Sequence, residues 1–237
     1  MTRFMTTRWT LIVDARRDDD RAREALSELC QAYWRPVYAY IRRHGHAPEL
    51  AADLTQSFFL HLLEHRGFER ADPARGRFRS YLLTSARNFL ANARDRDRTQ
   101  RRGGRAPHDS IDVVDAERQI VQEELDPQFS PEAAFERHWA LRIMERAVER
   151  LAAEYALRGQ APLFEQLRPF LTSDVTRPEP SGAAAAPPDL GDPAIRTAIH
   201  RLRKRFGQAL RAEIEQTVGA ASDVDDELRH LLRIMSP

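Results

Sequence analysis

Apolar positions recur at helical spacing along almost the whole chain, and no alternating run of useful strand length appears. Residues 21–41 carry Leu26, Leu29, Tyr33, Val37 and Tyr40, three or four positions apart. Pro36 falls inside this pattern and predicts a kink or a split, because proline lacks the N–H and its ring meets the carbonyl four residues back. Gly45 and Pro48 mark a turn, and Pro48 suits the first turn of the next helix. That helix places Leu54, Phe58 and Leu62 on one face. The stretch GFERADPARGR at 67–77 reads as a loop. Phe78, Leu82, Phe89 and Ala93 then line the buried side of a further helix.

Beyond Thr99 the character changes. QRRGGRAPHDS is basic and glycine-containing, and IDVVDAERQIVQEELDPQ is acidic, so the stretch reads as a flexible linker with a short helix at 115–124. Ser130-Pro131-Glu132 is a helix start, with a hydroxyl N-cap followed by proline at the first position. Phe135, Trp139, Ile143, Ala147, Leu151 and Tyr155 form its apolar stripe, and Arg158-Gly159 ends it. A shorter helix follows at 162–171, then a mostly irregular stretch rich in Pro, Gly and Ala at 172–191. Asp192-Pro193 opens a long helix with Ile195, Ile199, Leu202, Phe206, Leu210 and Ile214 on one side. Arg196, Arg201, Arg203, Lys204, Arg205 and Arg211 cover the rest. At 1.5 Å per residue this helix spans about 37 Å. The tail DVDDELRHLLRIM predicts a last amphipathic helix with an acidic first turn. The expected fold is all-α: two small helical domains, 1–100 and 131–237, joined by a flexible linker at 101–130.

Composition narrows the partners little. A hydrophobic content of 42% supports real cores. The net charge of +1 says nothing about nucleic acid, so the distribution of charge has to decide. Lys204 is the only lysine, and every other basic position except the histidines is Arg, whose planar fork suits phosphate and base edges. Cys30 stands alone, which excludes an intrachain disulfide and a cysteine zinc cluster. The apolar run at 9–13 is too short for a signal-peptide core or a membrane span, so a cytoplasmic location is expected.

Two neighbouring polar surfaces carry the candidate chemistry. In the helix beginning at Pro48, Asp53, Gln56 and Ser57 share a face, although an ordinary solvated face carries the same residue types. In the next segment Arg75, Arg77 and Arg79 surround Gly76 and Phe78. Arg87, Arg94 and Arg98 then fall on one helical face, beside Thr84, Asn88 and Asn92. Arginines neutralise phosphate, amides hydrogen-bond base edges and aromatics stack on unpaired bases, a combination that suits melted DNA. The plainer alternative is a charged, solvated helix in which Asp95 and Asp97 offset the arginines. His61, Glu64 and His65 match the inverted zinc-protease spacing H-x-x-E-H, but the signature needs a third ligand and short patterns match by chance.

These motifs resemble a known family. DLTQSFF is similar to the core-binding motif in region 2.2 of bacterial RNA polymerase sigma factors. FRSYLLTSARNFLANARDR is similar to regions 2.3 and 2.4, and SELCQAYWRPVYAYIRRHG to region 2.1. Their order, and the two-domain length, resemble the extracytoplasmic-function (ECF) type, which has only the second and fourth sigma domains; more narrowly, the pattern is similar to a large-linker ECF subgroup. The resemblance implies an all-α fold and a binding function, with no cofactor, no metal and no catalytic residue. Asp53, Leu54, Gln56 and Phe59 would meet the clamp helices of the beta-prime subunit. Arg75, Arg77, Phe78, Arg79, Ser80, Tyr81, Arg87, Asn88, Asn92 and Arg94 would contact the minus-ten element, with 75–80 as the loop that captures a flipped base. The implied partners are core RNA polymerase (beta-prime clamp helices and beta flap), promoter DNA, and an anti-sigma or other targeting factor.

The C-terminal half departs from the family pattern. DPAIRTAIHRLRKRF at 192–206 resembles the recognition helix of a fourth sigma domain. Arg196, Thr197, His200, Arg201 and Lys204 would face the minus-thirty-five element. Where a supporting helix belongs the chain has SGAAAAPPDLG, and Pro187 and Pro188 cannot continue a helix. Either the turn is remodelled and DNA contact survives, or promoter recognition is weakened here and something else supplies it. Two functions follow, a promoter-recognition subunit of the polymerase and a sigma-like adaptor targeted by another factor. A zinc hydrolase using His61, Glu64 and His65 is the remote third.

Overall fold

The computed structural model describes residues 20–65, 67–71, 77–99, 130–171, 193–218 and 223–236. Among these residues the fold is all-α, as the periodicity predicts. The helices are α1 (Asp20–Arg43), α2 (Pro48–Glu64), α3 (Phe78–Thr99), α4 (Pro131–Leu157), α5 (Ala161–Leu167), α6 (Pro193–Glu215) and α7 (Val224–Met235). Single 3₁₀ turns occur at Gly67–Arg70 and Arg168–Leu171. The stretches 100–129 and 172–192, with the expected helix at 115–124 and the Pro187-Pro188 segment, lie outside the described residues, as does Arg75.

The chain divides into two compact units, Met1–Arg142 with Ile214–Pro237, and Ile143–Glu213. The first unit therefore includes the opening of α4 and the C-terminal helix α7, elements far apart in sequence from α1–α3.

In the first unit α1 runs unbroken through Pro36, which does not split it. One hydrogen bond is lost at proline, but burial holds both sides: Tyr33, Val37, Tyr38, Ala39, Tyr40 and Ile41 are all within the core. The Trp34 and Tyr38 rings stack across the proline at 4.8 Å. The helix α2 starts at Pro48 from an extended Ala47 without a side-chain cap. It buries Ala51, Thr55, Phe58, Phe59 and Leu62, and the Thr55 hydroxyl is satisfied by donating to the Ala51 carbonyl at 2.7 Å. Leu54, expected on the buried face, is only half-buried. The helix α3 buries Phe78, Leu82, Ala86, Phe89 and Leu90. Phe78 meets the edge of Tyr33 at 5.1 Å, and Phe89 meets Phe58 at 5.6 Å.

The predicted loop at 67–77 begins with the 3₁₀ turn and a buried Ala71, so it is more ordered at its start than its composition suggests. Gly67 is required there by space, since a Cβ would sit 2.6 Å from Leu62 Cδ2 and 3.2 Å from the Leu62 Cα.

In the second unit Leu151, Tyr155, Phe164, Leu167, Phe170, Ile199 and Leu202 form one cluster. The helix α4 opens as predicted, with Ser130 Oγ accepting from the Ala133 N–H at 3.1 Å. It ends at Gly159 with φ +69°, and the Gln160 N–H donates to the Tyr155 carbonyl at 2.9 Å, the closing bond of a Schellman motif.

Candidate functional site

The helix α2 has an unusual outward surface. Leu50, Leu60 and Leu63 are 48%, 52% and 38% exposed, three of the few large apolar side chains so placed among the described residues. Positions 50, 53, 54, 57, 60 and 64 follow helical spacing, so Leu50, Asp53, Leu54, Ser57, Leu60 and Glu64 share one face. Gln56 is exposed at its edge. An aliphatic stripe with polar residues beside it costs solvation while uncovered, and such stripes mark protein contacts. Of the residues expected to bind a protein, Asp53 and Leu54 are half-exposed and Gln56 is exposed. Phe59 is placed differently. It is 5% exposed and packs on Phe58 at 5.3 Å, because it falls four positions after Thr55 and shares the buried side. The exposed leucines were missed in the sequence, where leucine in an amphipathic pattern counts toward the core.

The second surface is α3 with its entry. Ser80, Arg87, Asn88 and Asn92 are exposed, which leaves them open to a ligand. The side chain of Arg94 lies outside the described residues. Tyr81 is half-buried, and its hydroxyl donates to the Gly67 carbonyl. Phe78 is a core residue at 1% exposure rather than a surface aromatic.

The largest departure concerns the arginines. Arg79, expected at the DNA surface, is 5% exposed. Its Nε donates to Glu227 Oε1 at 2.7 Å and one terminal nitrogen to Glu227 Oε2 at 3.2 Å; the other pairs with Glu136. Its guanidinium lies 4.8 Å over the Trp139 ring. Arg77 Nε pairs with Glu227 Oε2 at 2.9 Å, and His230 Nε2 lies 3.0 Å from Glu136 Oε2. Burial by itself would lower the Arg79 pKa, but hydrogen bonds and charges from Glu227 and Glu136 outweigh it, so Arg79 is held protonated above its ordinary range. Pattern reading missed this because Glu136 and Glu227 are 57 and 148 residues away.

On α6, Arg196, Thr197, His200, Arg201 and Lys204 are all exposed. The Thr197 hydroxyl donates back to the Pro193 carbonyl at 2.8 Å. Other arginines on α6 serve the fold: Arg203 Nε donates to the Phe170 carbonyl at 2.9 Å, and Arg205 lies 5.6 Å over the Tyr155 ring.

The His61 and His65 rings lie 4.2 Å apart at a 37° tilt, and His65 Nδ1 is 3.1 Å from the His61 carbonyl. Among the described residues no group of three or more His, Cys, Asp or Glu is placed to hold a metal. Burial pushes the Cys30 thiol up to about 11, away from the reactive thiolate. Among the described residues no helix is long and apolar enough to cross a membrane.

The α2 and α3 surfaces both lie within one segment that is similar to a known domain family. Residues 29–100 match the family model of Sigma-70 region 2, a match that begins within α1 and takes in α2 and α3. The match is a similarity to Sigma-70 region 2 over those residues. Neither the curated proteins nor the solved structures give a match to the chain.

Proposed function

We propose that the chain is a cytoplasmic ECF-type sigma factor that binds core RNA polymerase and directs transcription initiation. The observation that carries this reading is the outward face of α2. It presents Leu50, Leu60, Asp53 and Leu54 with Gln56 at its edge, inside the segment that matches region 2. That face would meet the beta-prime clamp helices, and residues 131–237, with a contact to the beta flap, would form an altered fourth domain beyond the linker at 101–130. Exposed Ser80, Arg87, Asn88 and Asn92, with Arg75 and Arg77, would contact the melted minus-ten strand. Co-purification of the full chain with core polymerase is the test. Retention by the unmutated chain and its loss on Asp53→Ala with Gln56→Ala is the expected result, and no retention of the unmutated chain refutes the reading.

A second reading is a sigma-like adaptor that binds polymerase but relies on another factor for DNA targeting. The sequence SGAAAAPPDLG before α6 favours it, because Pro187 and Pro188 leave little room for a supporting helix. Weakened minus-thirty-five recognition is the variant we favour. Run-off transcription with Arg196→Ala and Arg201→Ala separates the readings: a large loss counts against the adaptor, and little change supports it.

A further inference from the structure

The network beneath α7 bears on when the minus-ten surface can work. Glu227 is 1% exposed and lies between Arg77 and Arg79, the two described arginines at the entrance to α3. Each side-chain nitrogen of Arg79 is taken, Nε and one terminal nitrogen by Glu227 and the other by Glu136. A guanidinium fork binds carboxylate and phosphate with the same paired geometry, so the two compete for one set of donors. Trp139 closes one face of the group, and Arg79 has almost no surface left for a solute.

We infer that α7 is an autoinhibitory strap. Its Glu227, aided by Glu136, occupies the arginines that would hold the phosphates of melted promoter DNA, and α7 must leave before Arg77 and Arg79 can engage that strand. The inference rests on the reading of 75–80 as the minus-ten contact.

The construction of α7 suits a reversible strap. Among its residues Val224, Glu227 and Leu231 are buried, whereas Asp225, Asp226, Arg229, Leu232 and Arg233 are exposed. Its anchor is thus two aliphatic side chains and one carboxylate. A 12-residue helix is too short to persist alone in water, so undocking also melts it. The acidic first turn (Asp225, Asp226, Glu227) brings the negative charge to the arginines and would repel DNA while docked.

The test uses the full chain and a fluorescent single-stranded oligonucleotide at fixed salt, read by anisotropy, with hydrogen exchange of 224–235 followed in parallel. Glu227→Gln and Glu227→Arg should each tighten oligonucleotide binding, the second by about tenfold if the docked state holds roughly nine-tenths of the molecules. In the unmutated chain, saturating oligonucleotide should speed exchange across 224–235, a readout that needs no folded variant. Unchanged affinity in folded Glu227 variants, or unchanged exchange on saturation, overturns the strap. Arg87→Ala with Asn88→Ala separates this failure from failure of the parent reading. If that pair weakens binding while Glu227 variants do nothing, the DNA surface stands and the strap falls; if no form binds the oligonucleotide, both fall.

Discussion

The entrance of α3 and the outer face of α6 are both rich in arginine, yet their side chains have opposite fates. At α3, Arg79 is buried between Glu227 and Glu136, and Arg77 shares Glu227 with it. At α6, Arg196, Arg201 and Lys204 point into solvent. A basic stretch therefore tells which side chains can bind an anion but not which are free to do so. A carboxylate brought from a distant helix can satisfy an arginine as fully as a phosphate.

The contrast is broken most sharply by removing one arginine from each place. Arg79→Ala takes the bidentate partner from Glu227, which keeps Arg77, and a partner from Glu136, which keeps His230, and should cost about 2–3 kcal/mol of stability in urea melts. Arg201→Ala should stay within about 0.5 kcal/mol in the same melts. Equal effects would mean that burial of the α3 network carries no energetic weight.

A smaller effect is expected where the buried side meets the 3₁₀ turn. Gly67→Ala forces a Cβ against Leu62 Cδ2 at 2.6 Å, next to the carbonyl that accepts the Tyr81 hydroxyl. It should destabilise by about 1–3 kcal/mol, measured by thermal melting, the usual range for overpacking. Gly207→Ala on α6, where nothing lies within 4 Å, should be neutral or slightly stabilising, since alanine favours helix by about 1 kcal/mol.

The exposed face is better probed by salt than by stability. If α6 touches duplex DNA, Arg196→Ala and Arg201→Ala should each lower the slope of log affinity against log salt by about 1, measured by anisotropy. An unaltered slope would place both side chains away from phosphate. The least effect concerns Cys30. With its thiol pKa raised by burial to about 11 from an ordinary 9.0, alkylation at neutral pH should be slower in the folded chain than after denaturation. The unfolded thiol releases its proton first, so stability should fall as pH rises from about 9 to about 11 and be unaffected by this group below that window.

Much of the fold was legible because its signals are local. Ser130 caps α4, Gly159 closes it, Pro48 opens α2, and the stripe from Phe135 to Tyr155 is buried as its spacing implies. Pro36 does not split α1, since the aromatic residues around it supply more burial than one missing hydrogen bond removes. The candidate site was legible in part. Gln56, Arg87, Asn88 and Asn92 are exposed as their pattern suggests and Phe78 is buried as its spacing implies, whereas Phe59 went to the core. An aromatic residue at the border of a helical face can turn either way, and only the packing of Phe58 decides which.

The sequence alone determined the helices and their caps, because hydrogen bonds and apolar spacing act within a few residues. It also carried the motifs at 53–59 and 78–98 that lie within the matched region 2 segment. The tertiary structure alone decided that Leu50, Leu60 and Leu63 stay uncovered while Arg79 does not. Exposure depends on which distant element arrives at a face. Here Glu227, 148 residues from Arg79, came to the α3 entrance, and no element covered the outer side of α2 among the described residues.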